Sequence, residues 1–258
     1  MESVPKISSA LIDNSVFQRL NLVEGALDIR SISWGDQQHK LPVAGYQRKR
    51  LRQGEDVWLR DEINALPTII KLTQESRLRL CTYSEIRHEA LRGSAGLVNT
   101  KGHLGNSLRL DEIQSAVDRS FFQKMQLSEF IKKETFIEFC KVLNTGHLRE
   151  LEQQVPDYWA KLPDLTKTSL KAIERFQQLL ACLPEAHYRD VFHLWTAEVN
   201  GLDFFLVLDN KFIRALTEST KIELPTLPAL PTTMLQKMGV KGRVPLPIDD
   251  DRFYHRFE

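Results

Sequence analysis

The sequence predicts an α/β fold, doubly wound in three layers, α/β/α, around a mainly parallel central sheet. Three observations predict it. Ala10-Leu11-Ile12 is apolar on both faces, as in a strand covered from each side, and stops on Asp13. Leu78 and Leu80 alternate with Arg77 and Arg79 in a strand pattern that closes on Glu85, and the apolar run Phe204 to Leu208 stops on Asp209. Between these runs the apolar spacing is helical, and strands alternating with helices form wound parallel sheets.

Ala10-Leu11-Ile12 is the first core strand. Residues 21–57 read as an insertion, because "DIRSISWGDQQHKLPVAGYQRKR", from Asp28, alternates around a Gly-Asp turn signal without a helical period. It is expected to be a hairpin-like excursion or loop, with "QRKRLR", Gln47 to Arg52, as a basic tip. Leu59, Ile63, Leu66 and Ile70 keep i, i+4, i+7, i+11 spacing, so a helix is expected there, kinked or restarted at Pro67. The second strand follows, then helical "EIRHEAL" and a Gly-rich loop, Gly93 to Asn106.

Leu110, Ile113, Val117 and Phe121 keep helical spacing, as do Phe130 or Ile131 with Ile137 and Cys140. About Leu108 to Asp164 is therefore expected to be an inserted helical lobe, within an insertion spanning 96–165. Leu170, Ile173, Phe176 and Leu180 mark the next helix. Pro184 opens another, "EAHYRDVFHLWTAEVNG", which closes on Gly201. Trp195, Phe204 and Phe205 are candidate core. After the Phe204–Leu208 strand, Ile222 to Leu224 reads as a short edge strand among Pro225, Pro228 and Pro231, and "TTMLQKMG" as a last helix. Residues 1–240 thus form one domain with core segments about 8–20, 59–91 and 170–239, and 241–258 form a Pro-rich, acidic tail expected to be extended or packed on the surface.

The 258 residues exceed the usual ~100–200 per domain, as an enlarged domain with insertions would. With 35 basic and 34 acidic residues the formal net charge is +1, so no global field draws the chain onto nucleic acid or anionic lipid. Any polyanion must be held locally, and Arg48, Lys49, Arg50 and Arg52 are the phosphate-contact candidates, ahead of Lys132 and Lys133. Cys81, Cys140 and Cys182, odd in number and widely spaced, suit free thiols. No apolar run approaches the ~18–20 residues that span a bilayer and "MESVPKISSALIDNSV" has no basic-then-apolar leader pattern, so the expectation is a cytoplasmic protein without a membrane partner.

In wound sheets the functional site lies beyond the carboxyl ends of the strands. Asp13, Glu85 and Asp209 all stand at such ends. Asp190 shares the inward helix face of His193, Leu194 and Ala197. Crowded carboxylates repel one another, and burial makes each costlier to ionise; a divalent cation removes that cost. An all-oxygen set favours Mg²⁺ or Mn²⁺ over Zn²⁺, and such ions serve phosphoryl chemistry. The plainer reading makes any one of these acids a helix N-cap or turn residue, and His193 a satisfied core histidine.

These residues resemble the PIN-domain family of metal-dependent ribonucleases. "ALIDNSV" is similar to its first strand with the terminal Asp, and "RLRLCTYSEI" to its second element with the Glu. "DVFHLWTAEVNGLDFFLVLDNKF", Asp190 to Phe212, is similar to its helix, Gly turn, Asp, strand and Asp-x-x-Phe; "LPALPTTMLQKMG" resembles its last helix. The resemblance implies that Asp13, Glu85, Asp190 and Asp209 bind Mg²⁺ or Mn²⁺ and are catalytic, that Asp203 is an auxiliary or structural acid, and that Asn14 and Ser15 support a bound water. It implies hydrolysis of RNA phosphodiesters to 5′-phosphate and 3′-hydroxyl ends, with toxin or defence roles and an inhibitor or antitoxin partner among the family's settings. Val207 departs from it, standing where the family usually carries Thr.

Three rival readings compete with this one, and the first two stay open. One is an inactive PIN-like binding or scaffold protein. Another is a structure-specific DNA nuclease, although no DNA-gripping helical motif is found. A haloacid dehalogenase-type phosphohydrolase needs a second acid that Asp13-Asn14-Ser15 lacks.

Overall fold

In a computed structural model, the structure describes residues 7–50, 57–90, 104–123, 126, 128, 132–219, 222–250 and 252–255. Arg52 lies outside them, as do most of the Gly-rich loop and the Phe130 and Ile131 positions.

Strand β1, Ser8–Ile12, leads into a one-turn helix α1, Asn14–Phe17. A ribbon of two 12-residue strands follows, β2 Val23–Trp34 and β3 Gln37–Arg48, turning at Gly35 with φ 61°. Next come α2, Val57–Gln74; β4, Leu78–Thr82; α3, Ser84–Ala90; and the two-residue strand β5, Asp111–Glu112. A helical stretch follows, with α4 Lys133–Asn144, α5 Leu151–Gln154, α6 Pro156–Lys161, α7 Asp164–Lys171 and α8 Glu174–Ala181. The chain ends with α9 Tyr188–Val199, β6 Phe204–Leu206, α10 Asn210–Ser219, β7 Leu227–Ala229, α11 Pro231–Lys237 and β8 Phe253–His255.

The central sheet is all parallel, in the order β5-β4-β1-β6-β7. Counted among its own strands, that is 3-2-1-4-5. The order reverses between β1 and β6, and this switch point is where the crevice of a doubly wound sheet opens.

Strand residues point alternately to two cores. Leu11, Cys81, Phe205 and Val207 pack with Phe136, Phe139, Phe176, Phe192 and Trp195 from α4, α8 and α9. Ala10, Ile12, Leu78, Leu80 and Leu206 pack with Leu59, Ile63, Leu66 and Ile70 of α2 and Met234 and Leu235 of α11. These two clusters make the three layers. No helix among the described residues is long and apolar enough to cross a membrane.

Several expectations need correction. Residues 110–121 are not a helix: Asp111–Glu112 extends the sheet beside β4, where the Ile113 amide donates to the Thr82 carbonyl (2.9 Å), and only Arg119–Phe121 makes a 3₁₀ turn. The apolar spacing there serves a chain laid across the sheet, with Ala116 and Val117 fully buried. The helices after it are no separate lobe, since Phe136, Phe139, Cys140, Trp159 and Leu162 belong to the main core. Pro67 lies inside α2, which runs through it without interruption. The last core strand is Leu227–Ala229 rather than Ile222–Leu224. There Pro228 sits on the sheet edge, where its missing N–H costs no ladder bond.

The tail after α11 crosses back over the molecule. Val244 N–H donates to Thr68 Oγ1 of α2 (2.8 Å), β8 adds to β3, and Tyr254 stacks on Tyr46 at 5.3 Å between ring centroids. It thereby pins the base of the ribbon to the core, leaving the distal ribbon projecting.

Candidate metal site at the sheet switch point

Asp13 follows β1 directly. Its Oδ2 accepts from the Ser15 amide at 2.7 Å and so caps α1, and its own amide donates to the Leu206 carbonyl of β6 (2.9 Å). Ser15 Oγ accepts from the Leu208 amide (3.0 Å), stitching the two strand exits together across the switch point. Asp209 leaves β6 and caps α10, its Oδ1 accepting from the Phe212 amide (2.9 Å). Both acids are therefore N-caps, as the plainer reading expects. Each cap uses one carboxylate oxygen, and the other makes no hydrogen bond among the described residues.

Two groups of ligand atoms, each spanning no more than 4.8 Å, stand at this edge: Asp13 with Glu89 and His193, all buried, and His187 with Asp190 and Asp209, half-buried. Asp190 joins them electrostatically. Burial pushes the Asp13 carboxyl above its ordinary value; His193 opposes this, and Asp190 and Glu89 add to it.

His193 is fully buried on α9. Its Nδ1 pairs with the Tyr83 hydroxyl (2.5 Å) and its Nε2 with Glu89 Oε1 (3.2 Å). Burial works against the imidazolium, but the charge and hydrogen bond of Glu89, followed by Asp13, outweigh it and raise the pKa. Arg189 Nε stands 3.0 Å from the same Glu89 oxygen. The second oxygen, Glu89 Oε2, is buried without a hydrogen-bond partner, as is Asn14 Oδ1 next to Asp13. One turn before Asp190, His187 Nδ1 lies 3.4 Å from Asp190 Oδ2, and that bond is the largest cause of a raised imidazole pKa.

Not all of the sequence candidates meet here. Glu85 belongs to neither group. Both its oxygens are held by the fully buried Arg119, Nε to Oε1 at 3.1 Å and Nη2 to Oε2 at 2.8 Å, with Phe136 stacked 4.7 Å from the guanidinium. Burial alone would raise its pKa, but His88 and Arg119 lower it below the usual value. The carboxylate of α3 that reaches the cluster is Glu89, one turn further along the same face.

Asp203 sits at the opposite, amino edge of the sheet, its Oδ2 accepting from the Ser9 amide (2.9 Å) and hydroxyl (3.0 Å), bonds that tie the starts of β1 and β6 together. Of the basic candidates, Arg48 pairs with Asp250 (2.5 Å) and Asn64 (3.1 Å) and is largely covered. Lys49 and Arg50 are exposed. Burial, and then the charge of Arg19, lowers the Lys49 pKa, so two cations share the ribbon base.

Glu89 and His187 are missed by sequence reasoning. The available signals were helical offsets, i+4 from Glu85 and i−3 from Asp190.

The donors fit a divalent cation. The crowded carboxylates include an orphaned buried oxygen at Glu89, and Asp13 is held above its ordinary pKa by burial and like charge. Each group also contains an imidazole, so the set is not all-oxygen as expected. Both His193 nitrogens are engaged, which leaves Asp13 and Glu89 as the candidate donors of the buried group, and Asp190, Asp209 and His187 as those of the half-buried one. A mixed set of this kind suits Mn²⁺ better than Mg²⁺.

Comparison with models of known protein families, with curated proteins and with solved structures finds no match.

Proposed function

We propose that the protein is a metal-dependent phosphodiesterase of PIN-like type that hydrolyses RNA. One observation supports this above the rest: carboxylates at the exit of β1, on α3 and α9, and at the cap of α10 flank the switch point of a 3-2-1-4-5 parallel sheet, one of them with a buried, unpartnered oxygen. Asp13, Glu89, Asp190 and Asp209 would hold Mn²⁺ or Mg²⁺. Such an ion supplies Lewis acidity and activates water for attack on phosphorus.

The chain's own residues do the rest. The two caps orient Asp13 and Asp209 on short, well-anchored turns. Asn14 Oδ1, buried and unpaired, is placed to accept from a water beside Asp13. Ser15 keeps its hydroxyl proton for a nearby acceptor, since its oxygen already accepts from Leu208. Lys49, Arg50 and Arg19 form a positive rim at the ribbon base for backbone phosphates. RNA rather than DNA as substrate rests on the sequence resemblance, as do a toxin or defence setting and an antitoxin partner.

Incubating the purified chain with structured and single-stranded RNAs in Mn²⁺, Mg²⁺ or EDTA tests the proposal. Metal-dependent cleavage that an Asp13→Asn, Asp209→Asn double variant loses is expected. Inert wild type in every metal, with no Mn²⁺ binding by calorimetry, overturns it.

A second reading has an observation of its own. His193 and Arg189 already place positive charge against Glu89, as in a cluster that balances its charges internally and serves as a binding scaffold. The same calorimetry separates the two, because an internally balanced cluster takes up no metal.

A further inference from the structure

Among the described residues, exposed large apolar side chains concentrate on the distal ribbon. Leu27 is 73% exposed, Ile29 68% and Trp34 78%, and Ile32 and Leu41 are exposed beside them. β3 has β8 along part of its outer edge, whereas β2 pairs only with β3 among the described residues. A long, apolar edge strand is what soluble proteins normally blunt or cover.

The phase of the ladder shows which groups β2 offers. The Lys49 amide donates to the Leu22 carbonyl (2.7 Å), in line with the Val23↔Arg48 register. Hydrogen-bonded pairs recur every second residue, so Glu24, Ala26, Asp28, Arg30, Ile32 and Trp34 point their backbone groups toward β3. Gly25, Leu27, Ile29, Ser31 and Ser33 therefore point theirs outward. Pro42, opposite Ile29, agrees with this phase: its absent N–H falls on the outer side of β3.

We propose that β2 pairs antiparallel with β2 of a second copy of this chain, about a two-fold axis at Ile29. The strand is self-complementary about that residue. With Ile29 facing Ile29 of the partner, Leu27 faces Ser31 and Gly25 faces Ser33, all outward-pointing positions, and residues 24 to 34 are paired throughout.

The charges select this register. Asp28 falls opposite the partner's Arg30 and Arg30 opposite the partner's Asp28, at non-hydrogen-bonded positions where side chains approach most closely. These two side chains lie 3.2 Å apart within one chain and are about half exposed; Arg30 also reaches across β3 to His255 of β8, a contact it would exchange for the partner's Asp28 on pairing. Trp34 and Ile32 at the ribbon tip fall opposite Glu24 and Ala26 of the partner, and Ile29 and Pro42 join their symmetry mates in one apolar strip. An isologous contact of this kind closes at two subunits and removes the free edge.

Light scattering over micromolar concentrations, together with cross-linking, tests the pairing on the full chain. A dimer mass is expected for wild type. Asp28→Arg, which sets like charges against each other twice, should raise the dissociation constant at least tenfold, and Asp28→Arg with Arg30→Asp should restore it. In a Cys182→Ser background, Ile29→Cys should oxidise to a covalent dimer, since facing Cα atoms at ~5.5 Å fall within disulfide reach. Ser33→Cys should not, its symmetry mate being about 27 Å away along the strands.

A wild type that stays monomeric overturns the pairing and leaves β2 for an extended segment of another protein. A dimer indifferent to Asp28→Arg, or cross-linked through Ser33→Cys and not Ile29→Cys, also overturns it. The ribbon variants are exposed, and an unchanged far-ultraviolet spectrum confirms that each is folded.

Discussion

Glu85 and Glu89 stand one turn apart on α3 and do different work. Glu85 neutralises Arg119, and removing one partner of a buried pair leaves the other charge uncompensated at a cost of about 3–5 kcal/mol. Glu85→Gln is therefore expected to lower stability by that amount in urea titration while leaving Mn²⁺ affinity intact. Glu89→Gln should do the reverse: metal binding drops, and stability changes less because Arg189 can turn to solvent and His193 can shed its proton. Equal effects of the two on Mn²⁺ binding would refute the assignment. The same cluster sets a pH dependence. The raised His193 pKa gives stability that is complete below about 6.5, its unfolded value, and lost as pH rises through the higher folded one. Asp13 acts in the same direction, since a carboxyl raised in the folded state loses stability as pH climbs above its unfolded value. In EDTA, thermal stability should thus fall from about pH 6 upward across the neutral range, and less steeply in His193→Gln; a rise over that range would contradict it.

Among the elements, the ribbon depends on its strap. A Cβ on Gly45 would collide with the Phe253 ring and, less avoidably, with the Tyr254 backbone carbonyl. Gly45→Ala is accordingly expected to displace β8 from β3, costing about 1–3 kcal/mol as overpacking does, and to expose the tail to trypsin at Arg252. An unchanged digestion pattern would show that the strap is not held there. Elements whose signals are local were readable from the sequence: β1 and β6 from apolar runs ending on acids, α2 and α9 from their helical period. β5 was not, because its two residues are made a strand only by β4, and neighbouring Ile113, Val117 and Phe121 mimic a helical face. The site divides similarly. Asp13 and Asp209 stand directly beyond strands, so their position follows from strand polarity. Choosing Glu89 over Glu85 required knowing that Arg119 folds back 34 residues to claim the latter.

For the whole molecule, the proposed metal site would be tied to global stability, because the ligands proposed for it come from four elements that meet only in the folded chain. Asp13 belongs to the β1 exit, Glu89 to α3, Asp190 to α9 and Asp209 to the start of α10, so the unfolded chain has no comparable site. A ligand that binds only the folded state stabilises it by RT ln(1 + [L]/Kd), about 2.7 kcal/mol at a hundredfold excess over Kd. For a chain of this size that corresponds to a rise in melting temperature of roughly 5–11 °C, at about 2–4 °C per kcal/mol. The rise should grow logarithmically with Mn²⁺, be weaker with Mg²⁺ because of the His187 imidazole, and steepen with pH as His193 and Asp13 lose the protons that compete with the ion. Asp13→Asn and Glu89→Gln should abolish it, and Asp203→Asn, at the far edge of the sheet, should lower the starting temperature but leave the increment unchanged. A melting temperature indifferent to Mn²⁺ at every pH would mean that His193 and Arg189 already balance the carboxylates, and the scaffold reading would then replace the nuclease one.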